Sequence, residues 1–163
     1  MDLNRLTNRA REALMGAHTI ASRYRHQQIE PEHLLLAMLQ QEEGLASRLV
    51  AKVGASPDRI IESLEKQLAQ KPKVYTSPGG QEQVYLSPSI SRLLEKAWHE
   101  AQSFKDEYIS VEHLLLSFFS LEGKGAGNLL RQEGLSRSSI MKALQEVRGH
   151  QRVTSPDPES TYE

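Results

Sequence analysis

The chain writes one motif twice. Residues 29–40 read IEPEHLLLAMLQ and residues 109–120 read ISVEHLLLSFFS, an offset of 80 positions. Held at that offset, Thr7–Ala69 aligns with Ser87–Gly149 without a gap; roughly a quarter of the paired positions are identical and many others keep their apolar character. An internal repeat constrains a fold more than any single motif, because whatever one copy forms the other must form too. At 163 residues, two such copies make one compact unit rather than two independent domains.

Each copy reads as four helices. Ala10, Ala13, Leu14, Ala17, Ala21 and Tyr24 recur at the spacing of one helix face, and Ile90, Leu93, Leu94, Ala97, Ala101 and Phe104 repeat that stripe. Thr7 and Ser87 stand at the N-cap positions, with Pro88 at the first helical position. The EHLLL segment comes next, apolar all round from Leu34 to Leu39 and for most of Leu114 to Phe119, which predicts a central helix buried on most sides. A short third helix ends at Gly54 in one copy and Gly134 in the other, glycine being the usual left-handed terminator. The fourth begins at Ser56 and Pro57, with a stripe of Ile60, Ile61, Leu64 and Leu68; Ile140, Met141, Leu144 and Val147 are its expected partners. The fold class is therefore all-α, a duplicated four-helix repeat of about eight helices, with repeat 1 at about 7–69 and repeat 2 at about 87–149. Residues 70–86, with Pro, Gly and polar clustering, read as a connecting loop. Residues 150–163, HQRVTSPDPESTYE after Gly149, carry two prolines and little to bury, and read as a disordered or flexible linker.

Composition excludes more than it assigns. A formal charge of −1 with interleaved signs leaves no basic footprint for nucleic acid or an anionic membrane. With no cysteine there is no disulfide, thiolate metal site or Cys nucleophile, which fits a reducing, cytoplasmic setting. The first residues, MDLNRLTNRAREAL, lack an export signal's apolar run. Six histidines invite a metal proposal, but the H-E-x-x-H spacing fails because Ser103 stands four residues after His99. No phosphate loop, dinucleotide fingerprint or nucleophile elbow is present, so the chain is expected to be non-enzymatic and without cofactor or metal of its own. Glu32 and Glu112 have two readings: each carboxylate serves the positive end of its helix, or the pair faces a cleft and holds cationic or N–H-rich peptide.

The doubled EHLLL helix, the RLTNRAREAL start, YISVEHLLLSFF, VYLSP and the closing VTSPDPESTYE together resemble the N-terminal domain of the ClpB-type AAA+ disaggregases, over residues 1 to about 149. The resemblance implies two four-helix repeats related by a pseudo-twofold axis, a monomer in isolation, joined by a linker to a homohexameric ATPase ring. In the implied full-length protein that ring uses ATP and Mg, cooperates with the DnaK chaperone system and draws unfolded or aggregated clients out of aggregates. It also implies client-contacting residues: the threonine of RLT is Thr7, the aspartate of KDEYIS is Asp106 and the glutamate of the second motif is Glu112. Glu32 and Leu94 are secondary candidates, Leu94 for an apolar groove, although Lys96 and Glu100 stand where that groove should be apolar. Each residue also has a purely local role: Thr7 as N-cap, Asp106 as loop cap, Glu112 at a helix dipole, Leu94 in the core stripe. A neighbouring branch, the adaptor- or phosphoarginine-docking N domains of ClpC/ClpA-type unfoldases, gives the alternative function. There the motif glutamates follow Gly-Thr, where this chain has Glu-Pro and Ser-Val.

Overall fold

The structure, a computed structural model, describes residues 3–75, 83–121, 125–159 and 162. Among them α1 spans Asn8–Arg23, β1 Gln28–Ile29, α2 Pro31–Leu39, α3 Leu45–Val53 and α4 Pro57–Gln70. The second copy runs from β2 (Tyr85–Leu86) through α5 (Pro88–Ser103), α6 (Val111–Ser117), α7 (Ala126–Gln132) and α8 (Arg137–Arg148). The fold is all-α, four helices per repeat, as the periodicity predicts. The SPGG of the connecting stretch lies outside the described residues.

Local chemistry sets the helix ends. The hydroxyls of Thr7, Ser87, Ser56 and Ser136 accept the backbone N–H of Ala10, Ile90, Arg59 and Ser139, three residues on, at 3.1–3.2 Å. Each satisfies one of the donors that a helix start leaves free. Gly54 and Gly134 adopt φ of +109° and +87°, where a Cβ would be strained. Arg25 and Lys105, also 80 apart, share a left-handed φ of +59°. That turn brings the amides of His26 and Asp106 back onto Ala21 and Ala101, so the same bend aims one side chain per repeat at the start of the central helix.

The core is continuous between repeats. Every residue of α2 is buried, and so is every residue of α6. A fully buried leucine contributes about 1.5–3 kcal/mol, so the two leucine triplets alone are a large share of the driving force. Helix α6 stops earlier than its apolar run predicts and tightens into a 3-10 turn over Phe118–Ser120. There the backbone of α7 comes close: a Cβ on Gly127 would lie 2.4 Å from the Phe118 carbonyl oxygen. Gly127→Ala is expected to lose about 1–3 kcal/mol through overpacking. Urea melts of the two chains check it, and equal midpoints would refute the contact.

The repeats interlock. The third helix of each packs on the fourth helix of the other, α3 on α8 and α7 on α4. The lead-in segments exchange in the same way. Ile29 pairs with Leu86 in the parallel β1–β2 ribbon, and Ile109 pairs with Leu6 in a parallel bridge, the same two registers with the copies swapped.

Two expectations change on contact with the structure. The stripe of α8 does not end on Val147, which is half-buried; the residue in register with Leu68 is Arg148, and it is 5% exposed. The described part of the tail is exposed at 150–152 and 154–157 but anchored at a few points. Val153 is fully buried, Glu159 and Tyr162 nearly so. Its partners are polar atoms far away in sequence, which a linker-like composition does not reveal.

Candidate functional site

The two motif histidines are helix caps. His33 Nδ1 accepts the backbone N–H of Glu30, and His113 Nδ1 accepts that of Ser110, both at 2.8 Å. Each imidazole therefore carries its proton on Nε2 and donates it to the residue the left-handed turn delivers. In repeat 1 that acceptor is His26 Nδ1 at 2.8 Å; in repeat 2 it is Asp106 Oδ2 at 2.7 Å.

This difference goes with a buried charge cluster in repeat 2. Asp106 brings a buried negative charge, and Arg148, occupying the place of Leu68, answers it. Its guanidinium donates to Asp106 Oδ1 and, at 3.3 Å, to Glu112 Oε2. It also donates through Nε to the Gln151 carbonyl at 2.7 Å and lies over the Phe104 ring. Burial by itself pushes the Asp106 carboxyl up, but the hydrogen bonds from His113, Arg148 and the Val153 amide hold it below the usual range. Burial likewise works against the Arg148 charge, and Asp106 and Glu112 more than offset it, raising its pKa.

Thr7 joins the cluster across the interlock, through the chain's own tail. Its hydroxyl donates to Glu159 Oε2 at 2.7 Å, and the same oxygen accepts the Val111 N–H at 3.3 Å. The Tyr162 hydroxyl donates to Glu112 Oε2 at 2.9 Å. Burial and the neighbouring Glu112 push Glu159 up to about 6, although the Thr7 bond pulls the other way. Burial and Glu112 also raise the Tyr162 phenol.

Ser110, His113 and Asp106 line up in the order of a hydrolase triad, with Ser110 Oγ 3.0 Å from His113 Nδ1. The array is not set for catalysis. Nδ1 is already occupied by a backbone N–H, the Ser110 hydroxyl donates to Glu112, and all three side chains are sealed from solvent. Among the described residues no three or more His, Asp or Glu side chains are grouped to hold a metal, and no helix is long and apolar enough to cross a membrane.

The sequence candidates thus divide. Thr7, Asp106 and Glu112 come together around Arg148 and the tail. Glu32 does not join them; it is 8% exposed, 3.8 Å from Lys71, at the edge of a cleft of about 640 Å³ shared with Glu30, Arg92 and Lys96. That cleft is lined largely by charged and polar side chains. Leu94, 1% exposed, belongs to the core. Arg148, Glu159 and Tyr162 escape a reading by motif. Arg148 has a sequence signal nonetheless: an arginine where the other copy writes leucine, matched 42 positions earlier by an aspartate where the other copy writes histidine.

Interlocked four-helix repeats with a capped EHLLL helix at each centre define the class. The chain belongs to the Clp repeat N-terminal domain family, whose model matches residues 5–133. Within it the curated relatives include Chaperone protein ClpB of Nitratidesulfovibrio vulgaris, 38% identical over 164 residues, and Chaperone protein ClpB 1 of Synechococcus elongatus, 40% identical over 161. These alignments take in 100% and 98% of this chain but 19% and 18% of the relatives, so the chain spans about a fifth of their length. The N-terminal domain of Hsp104 from Candida albicans shares the fold at TM-score 0.76 and 23% identity, over 93% of this chain and 96% of that one. The N-terminal domain of the ClpV1 ATPase from E. coli does so at TM-score 0.75 and 26% identity, over 96% and 92%. A ClpV N-domain solved in complex with a VipB peptide matches at TM-score 0.69 and 16% identity, over 87% and 86%.

Proposed function

We propose that this domain is the substrate-recognition element of an ATP-dependent ClpB-type disaggregase, and that Thr7, Asp106 and Glu112 make its polar contacts with unfolded or aggregated clients. The observation that carries the reading is their convergence: Asp106 and Glu112 share Arg148, and Thr7, 105 positions before Glu112 in sequence, is tied to them through the tail, while repeat 1, built on the same backbone, lacks the Asp–Arg pair. Packing alone does not call for that asymmetry. A peptide bound to a domain of the same fold, the ClpV N-domain, supports the class of ligand. In the whole protein, six such domains on a hexameric ring would add avidity to individually weak contacts, ATP and Mg would be held by the ring, and the DnaK system would act with it in the cytoplasm.

Titration with a permanently unfolded client, reduced and carboxymethylated α-lactalbumin, tests the reading by NMR. The amides of Thr7, Asp106, Val111 and Glu112 are expected to shift, with an affinity weaker than micromolar because an extended peptide must be ordered on binding. Shifts confined to other faces would refute it. Phosphoarginine docking is the weaker reading, since both motif glutamates already have cationic partners, Glu112 in Arg148 and Glu32 in Lys71. A phosphoarginine peptide binding more tightly than its unmodified twin would reverse that order.

A further inference from the structure

We propose that the chain's own tail, Val153 to Glu159 with Tyr162, is an internal ligand of this polar site, so that docked tail and bound client exclude one another. The inference rests on the functional reading above and specifies how that site is occupied and what it takes.

Each of the three site residues is met by one element of the tail. Asp106 Oδ1 accepts the Val153 N–H at 2.9 Å, while the Val153 carbonyl accepts the Glu107 N–H at 2.8 Å, so both main-chain groups of Val153 are held at the turn before α6. Thr7 donates to the Glu159 carboxylate, and the next amide in the chain, that of Asn8, donates to the Pro156 carbonyl at 2.7 Å. Glu112 accepts the Tyr162 hydroxyl. With the tail docked, Thr7 and Glu112 are fully buried and Asp106 is 5% exposed, so no client reaches them until the tail leaves.

The dock is built to be released. Its apolar anchors among the described residues are Val153, Pro158 and the Tyr162 ring. Glu159 is buried near a second carboxylate, Glu112, and among the described residues its Oε1 has no hydrogen-bond partner. An unsatisfied buried oxygen and a like charge both subtract from the gain of the other bonds. The contacts also say what a replacing segment must present. It is an extended stretch with a free main-chain N–H for Asp106, a hydroxyl or amide donor for Glu112 and an acceptor for Thr7, with prolines tolerated between them.

The test compares the 163-residue chain with its Val153→Asp/Tyr162→Ala variant. Exchange of the Asn8 amide reports docking without any client, because its acceptor is in the tail. The variant is expected to lose that protection and to bind carboxymethylated α-lactalbumin about tenfold more tightly. A synthetic peptide of residues 151–163 added to the variant should restore protection at Asn8 and displace the client. Protection that persists in the variant, or a peptide that displaces nothing, would overturn the proposal. So would equal client affinity in both chains with Thr7 and Glu112 still perturbed, and in that case the functional reading stands. Client shifts away from those residues in both chains would instead sink the functional reading, while restored protection by the peptide would show the dock to be real.

Discussion

Replacing Arg148 by alanine is expected to lower the unfolding free energy by about 3–5 kcal/mol, the range for removing one partner of a buried ion cluster. The side chain is 5% exposed and holds two carboxylates whose own exposures are 5% and 0%. Without it, Asp106 keeps His113 and the Val153 amide but no countercharge, and Glu112 keeps Ser110 and Tyr162. Both must then protonate or draw in water. Arg148→Lys restores the charge but not the fork that reaches both carboxylates and the Gln151 carbonyl at once, so it should recover only part of the loss. Chemical denaturation at neutral pH reads all three chains. A loss below about 1 kcal/mol for the alanine variant would mean that Arg148 behaves as a surface residue.

Acid should act first on repeat 1. Burial, then His26, then Lys71 lower the His33 imidazole to about 4, and burial and Lys71 lower His26 as well. A depressed histidine contributes stability that is complete above its unfolded value of 6.5 and is lost as pH falls toward the folded value. At about 1.4 kcal/mol per unit, His33 alone accounts for a loss of about 2 kcal/mol by pH 5. Glu159 works in the opposite direction: its carboxyl, raised to about 6, favours the docked tail at low pH and gives up that contribution as pH rises through 6. The comparison that isolates the histidine pair is therefore with His26→Asp, which writes the acceptor of repeat 2 into repeat 1 and places a carboxylate beside His33. Melts of both chains between pH 7.5 and 5 should show a steeper decline in the parent, by about 2 kcal/mol over the window. Parallel profiles would show that the pair does not set the acid response.

How far the sequence carries depends on what kind of force holds each part. The helices are legible because their signals are local and written twice: the caps at Thr7 and Ser87, the stripes through Ala17 and Ala97, the glycines at 54 and 134. The convergence of Thr7, Asp106 and Glu112 is not legible from spacing, since Thr7 reaches the others only through the exchanged lead-in and the tail. The anchoring contacts of the tail are not legible either. Two prolines and scattered charge describe a linker correctly in composition, but it is held by Thr7, Asp106 and Glu112, and the Thr7–Glu159 bond spans 152 positions. Arg148 lies between these cases. It is visible once the two copies are set side by side, because a departure from the repeat is itself a signal.

The swapped lead-ins have a consequence of their own. Ile29 pairs with Leu86 and Ile109 with Leu6, so the extended segment ahead of each central helix finds its pairing partner in the other copy. A single unduplicated copy would leave that edge bare, and would satisfy it by meeting a second identical chain in the same reciprocal geometry. The fold is in that sense an isologous homodimer contained in one polypeptide. Covalent joining frees the two halves to differ, and the Asp106–Arg148 site, present on one half alone, is a feature that a strictly symmetric pair of identical chains has no means of restricting to one side.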